Sequence, residues 1–134
     1  MRDSMRPATE IQMPSRAVEG SRLRKVVGRI ASRALRSPRA AADIELAIGE
    51  AFSNVLKHGA KKSRVSVRVE SPSNHELAVE MTYPGKRFDT TVTRPKDVGK
   101  ARGGFGRHII QQVMDSMEYS FRRGRTTLRM TKRR

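Results

Sequence analysis

The chain has 134 residues, no Cys and a formal net charge of +16. That length fits one domain with a modest core, the missing Cys excludes disulfide frameworks and thiolate metal sites, and no apolar run is long enough to cross a bilayer. Residues 1–39 carry ten Lys/Arg against three Asp/Glu and residues 119–134 seven against none, while 40–118 carry twelve against ten; an excess held at the two ends suits an anionic partner: nucleic acid, an acidic protein surface or a membrane surface.

In chain order, Glu10 to Met13 reads as a short strand ended by Pro14. Ser15 to Leu35 reads as a helix, with Leu23, Val27, Ile30 and Ala34 on the apolar side and Arg22, Lys25, Arg29, Arg33 and Arg36 as a basic stripe at helical spacing. Ser37-Pro38 breaks it, and a second helix is expected from about Arg39 to Lys57 with a left-handed cap at Gly59. Val65, Val67 and Val69 alternate with polar residues in a strand over Ser63–Glu70, Ser71 to Asn74 is a turn, and Glu76 to Tyr83 is a second strand. An irregular basic stretch then runs to Gly104. Phe105 to Met117 reads as a third helix, and Tyr119–Phe121 with Thr126–Met130 as a hairpin around Arg123-Gly124. These elements predict a two-layer α/β sandwich, a mixed and mostly antiparallel sheet with helices on one face.

Three local patterns carry chemistry. On the second helix Glu50, Asn54 and His58 recur every four residues and stack along one side, opposite Ile44, Ile48, Phe52, Val55 and Leu56. A carboxylate and a carboxamide one turn apart can hold a hard cation or orient a hydroxyl; the same spacing also describes a plain solvated face. The second pattern, Tyr83-Pro84-Gly85-Lys86-Arg87-Phe88-Asp89, follows a strand. The third, Gly103-Gly104-Phe105-Gly106-Arg107-His108, opens a helix, whose free amides suit phosphate oxygens. The segment between them, 86–104, fits either a mobile lid over a nucleotide or an ordinary surface loop.

Taken in this order the patterns resemble the ATP-binding domain shared by DNA gyrase, a heat-shock chaperone, histidine kinases and the mismatch-repair protein MutL. The resemblance is strongest to the small bacterial anti-sigma factor serine/threonine kinases. It implies the Bergerat-type ATPase fold over a single domain spanning 1–134, with 1–9 flexible and 86–104 as the ATP lid. Ile48 to Gly59 is similar to the family's N box, Gly85 with Phe88-Asp89 to its first glycine box, and Gly103 to Asp115 to its second.

The resemblance further implies that Asn54 ligates Mg²⁺ and that Glu50 acts as catalytic base or orients the attacking hydroxyl. Gly103, Gly104, Phe105 and Gly106 would hold the phosphates of ATP. His58, Tyr83, Gly85 and Phe88 would complete the nucleotide site. Tyr83 stands where the family carries the Asp that accepts a hydrogen bond from the adenine amino group, and a phenol is a bulkier and weaker acceptor than a carboxylate. The expected partners are a sigma factor, a STAS-type anti-anti-sigma protein and a second copy of the chain, in the cytoplasm and without a membrane. Two other readings stay open: a non-catalytic regulator of the same fold that sequesters its partner, which Tyr83 favours, and a basic nucleic-acid-binding module, which the charge favours and the low aromatic content opposes.

Overall fold

The computed structural model describes residues 8–90 and 105–134. Five strands and three helices follow in the order β1 (Thr9–Pro14), α1 (Ala17–Leu35), α2 (Pro38–His58), β2 (Arg64–Ser73), β3 (Glu76–Pro84), α3 (Phe105–Val113), β4 (Ser116–Arg122) and β5 (Arg125–Arg133). The strands form one sheet in the order β1-β2-β3-β5-β4. All four ladders are antiparallel, so the sheet is not mixed among the described residues.

Alternation along the strands decides which face is covered. Ile11, Met13, Val65, Val67, Val69, Leu77, Val79, Met81, Tyr83, Leu128 and Met130 share one face with Thr126, and α1 and α2 lie over it. Leu23, Val27, Ala31 and Leu35 of α1 and Ile44, Ile48, Phe52 and Val55 of α2 complete the core. Leu56, expected on the apolar stripe, is instead exposed. The opposite face is polar. Across its centre Glu10, Arg68, Glu80, Arg129 and Glu118 stand directly beside one another in register, one from each strand, with alternating sign.

The two long helices approach closely where they carry glycine. A Cβ on Gly28 would collide with the Glu45 side chain, and one on Gly49 would lie 3.0 Å from Arg24 Cδ. Between the helices, Arg36 closes α1 in the left-handed conformation at φ 51°. Ser37 then caps α2 by accepting from the Ala40 amide at 3.1 Å, with Pro38 in the first turn.

Three local expectations are corrected. Gly59 is extended (φ −78°, ψ 164°), because it passes straight from α2 into a β-bridge with Gly85. The β2 strand runs on to Ser73 through a register shift after Glu70, with Ser71 Oγ 2.8 Å from Ser73 O and 3.1 Å from Glu76 O, so the turn falls at Asn74-His75. Helix α3 stops at Val113 because the chain is drawn onto β5: the Asp115 amide donates to Thr131 O at 2.9 Å, Lys132 Nζ donates to Val113 O at 2.6 Å, and Met117 becomes an inward residue of β4.

Candidate functional site

The end of α2, the end of β3 and the beginning of α3 meet on the helix-covered side of the sheet. Backbone bonds fix the first two against each other. Gly59 bridges Gly85, and the Ala60 amide donates to Pro84 O at 2.9 Å. A side chain on Gly59 would meet Val55 O at 2.7 Å and Tyr83 Cδ2 at 3.1 Å, so this approach demands glycine. The third element is set by Gly106, whose Cβ position lies 2.7 Å from Glu50 Oε1. The residue pattern on α2 and the glycine pattern on α3, 56 positions apart by Glu50 and Gly106 numbering, are thus in direct contact.

The expected site residues divide as follows. Glu50 is half-buried against Gly106. Asn54 is buried, 6% exposed, and its Nδ2 donates to the Tyr119 hydroxyl at 3.2 Å. His58 stacks on Phe88 with ring centroids 4.1 Å apart. Its pKa is lowered from 6.5, first by burial and then by the positive charges of Arg107 and Lys57. Gly85 donates its amide to Gly124 O at 2.9 Å. Gly103 and Gly104 lie outside the described residues, as does most of the 86–104 lid; Phe105 begins α3.

Tyr83 is 1% exposed, and its hydroxyl has no hydrogen-bond partner among the described residues. Burial, then the neighbouring Tyr119, pushes its pKa up; the Arg107 charge works the other way. Directly across the ladder, Thr126 is fully buried and its Oγ1 also lacks a partner. Two orphan hydroxyls on neighbouring strands are uncommon inside a protein and suit a polar ligand or an ordered water.

Four functional candidates were not singled out by sequence: Arg107, Tyr119, Phe121 and Thr126. Phe88 is the hub of the cluster, with Tyr119 and Phe121 each edge-on at 5.2 Å. The buried Arg107 guanidinium lies 5.5 Å from the Phe88 centroid and that of Arg87 4.9 Å from Phe121, within cation–π range. Four of the six Phe and Tyr residues of the chain gather here. A signal existed for some of them. Tyr119 and Phe121 share the inward phase of Met117, and Thr126 that of Leu128 and Met130, where a hydroxyl is out of place. Arg107 sits three residues before the buried Ile110, on the same side of α3.

The donor set fits a phosphate-bearing polar ligand and a hard cation in part. Glu50 and Asn54 offer oxygen atoms one turn apart, Gly106 keeps the start of α3 clear of side chain, and Tyr83 and Thr126 offer unmatched hydroxyls. Among the described residues no cluster of three His, Asp or Glu is present, so a cation here would need oxygens from its ligand or from water. No helix among the described residues is long and apolar enough to cross a membrane.

Comparison with known proteins agrees with this arrangement. No curated protein matches the sequence. Among solved structures, the crystal structure of the RsbU and RsbW domains of Rv1364c from Mycobacterium tuberculosis is similar in fold, with a TM-score of 0.67 and 16% identity over 96% of this chain and 32% of that one. This chain therefore spans about a third of that protein's chain. The family model of the histidine kinase-like ATPase domain matches residues 13–132, which run from the end of β1 into β5 and take in all three elements of the site. The chain belongs to the histidine kinase-like ATPase domain family.

Proposed function

We propose that the chain is an ATP- and Mg²⁺-dependent serine/threonine protein kinase that acts as an anti-sigma factor in a partner-switching module, phosphorylating an anti-anti-sigma protein and working as a homodimer. The observation that carries the reading is the contact between Glu50 and Gly106, which joins the carboxylate-carboxamide face of α2 to the glycine-opened start of α3. Bound ATP would supply the phosphoryl group and Mg²⁺ the neutralisation of its charge. Asn54 would hold the cation through its carbonyl oxygen, since its Nδ2 is engaged by Tyr119. Glu50 would orient the serine hydroxyl or accept its proton. The amides at the start of α3 would carry the phosphate oxygens. Positioning and electrostatics supply most of the catalysis in phosphoryl transfer, and these are what a rigid α2–α3 contact provides.

Tyr83 favours a second reading. A buried aromatic ring in the place of the family's carboxylate, beside Tyr119 of the Phe88 cluster, suits a domain that holds its partner without turning over nucleotide. Titration of ATP with Mg²⁺ and with chelator separates the two. The kinase reading expects saturable binding tightened by Mg²⁺, a narrowed gap in Asn54→Ala, and in Glu50→Gln retained binding with transfer to the partner reduced by about 10²–10⁴-fold. Absence of ATP binding would leave the sequestering reading.

A further inference from the structure

Three loops are fastened together at one end of the sheet. The Ala60 amide donates to Pro84 O and the Gly85 amide to Gly124 O, each at 2.9 Å, so the α2–β2 turn, the segment after β3 and the β4–β5 turn form one surface. All three are basic. Lys61 and Lys62 occupy the first, and Lys86, Arg87, Arg122, Arg123 and Arg125 line a concavity of about 330 Å³ between the other two. Its remaining described lining is Gly85, Phe121 and Gly124, with no carboxylate among the described residues. The nearest acid in sequence, Asp89, lies outside it.

The contrast with the rest of the sheet is informative. Across the middle of the open face every cation stands beside an acid, and Arg68 and Arg129 are paired with Glu10 and Glu80 at 2.7 and 2.9 Å. At this end the register places Arg122 directly opposite Arg125, with Arg123 in the turn between them. Like charges directly across a ladder are destabilising, and clustered exposed charge of one sign repels itself. All five are exposed, and among the described residues only Arg87 has a packing role, over the Phe121 ring. A local excess that lowers stability is accounted for by an anion that arrives from outside.

We propose that this concavity is the docking site for an acidic segment of a protein partner. The chemistry selects that class over nucleic acid on two grounds. The cations surround a compact hollow rather than a stripe along which a phosphate backbone could run. The rings beside it offer no platform for bases, because Phe121 is faced by Arg87 and Phe88 is enclosed by His58, Tyr119 and Phe121. The basic row on α1 is a separate surface: Arg22, Arg33 and Arg36 fall in three different hollows, none of which has more than two Lys or Arg among its described lining. The inference does not rest on kinase activity, since no residue of the hollow is assigned to the transfer step.

The test is fluorescence anisotropy at low salt, without nucleotide. The probes are a labelled peptide of about twelve glutamates and, in parallel, a labelled DNA duplex of about twelve base pairs. The triple variant Arg122→Glu, Arg123→Glu, Arg125→Glu should weaken peptide binding by about tenfold or more, and Lys61→Glu with Lys62→Glu should weaken it in the same direction. Arg22→Glu, Lys25→Glu, Arg29→Glu on α1 changes the total charge equally and should cost less than about threefold. Equal losses from the hairpin and α1 variants would reduce the effect to total charge and overturn the site. So would a wild-type protein that does not bind the peptide, or one that binds the duplex more tightly with the same dependence on the hairpin. If circular dichroism shows the triple variant unfolded, Lys86→Glu, an exposed residue of the same lining, decides the question: weakened peptide binding supports the site and unchanged binding overturns it.

Discussion

Tyr83 shows how one side chain can hold function and stability in tension. Its ring belongs to the core, yet its hydroxyl is buried without a partner among the described residues. An orphan buried polar group costs about 1–3 kcal/mol, whereas the isosteric ring without it costs nothing of that kind. Tyr83→Phe is therefore expected to raise the unfolding free energy by about 1 kcal/mol in urea titration. A loss of stability would show that the hydroxyl is satisfied, by water or by another group, in solution. His58 makes a pH prediction of definite sign. Its folded pKa lies below the unfolded value of 6.5, because burial and then Arg107 and Lys57 oppose its charge. Above 6.5 it is neutral in both states and contributes no pH dependence. As pH falls below 6.5 the unfolded chain binds the proton first, so stability declines until the folded pKa is passed. Thermal unfolding between about pH 7.5 and pH 5 should show this decline, and His58→Gln should flatten the part due to this group. An unchanged profile in the variant would assign the dependence to another group.

The α1–α2 pair is where sequence pattern and packing disagree most usefully. Gly28 lies inside a long helix, where alanine is worth about 1 kcal/mol more than glycine. Its Cβ position, however, collides with the Cγ, Cδ and Oε2 atoms of Glu45, so the entire side chain must move and not only its tip. Gly28→Ala alone should lower stability by about 1 kcal/mol, as overpacking outweighs propensity. In a Glu45→Ala background the same change should raise stability by about as much, because only the propensity term remains. A double-mutant cycle in urea measures both, and additive effects would mean that the helices separate freely at this point. The existence of every described helix and strand was legible, because each has a clean period of 3.6 or 2. Boundaries failed where distant backbone competes locally: Gly59 is extended by Gly85, and α3 is cut short by β5. The same logic governs the site. Glu50 and Asn54 stood out as candidates by local spacing, Gly106 by its place before a helix, and Gly85, Phe88 and His58 by the family resemblance, while the packing of Tyr119 and Phe121 around Phe88 was not readable. It forms because the segment after β3 carries Phe88 past β5 to Tyr119 and Phe121 on β4, some thirty positions later in the chain, and no local period encodes that order.

Charge acts on the fold as a body in two opposing ways. The in-register row from Glu10 to Glu118 attracts, and its ion pairs join Arg68 to Glu10 across β1 and β2 and Arg129 to Glu80 across β3 and β5. Each such pair is partly exposed and is worth about 0–1 kcal/mol, so the row contributes little in total. Against it stands the excess of +16, spread over a chain of 134 residues and concentrated along α1 and around the β4–β5 turn. Compacting the chain brings these cations within a Debye length of one another, about 10 Å at 0.1 M salt, and the repulsion exceeds what a few surface pairs return. The melting temperature should therefore rise as sodium chloride is increased from about 0.05 to 0.5 M, because screening relieves more repulsion than attraction. The rise should shrink in the Arg122→Glu, Arg123→Glu, Arg125→Glu variant, which removes cations where they are densest. A melting temperature that falls with salt would mean that the Glu–Arg row dominates, and the excess cations would then lie too far apart in the folded state to repel.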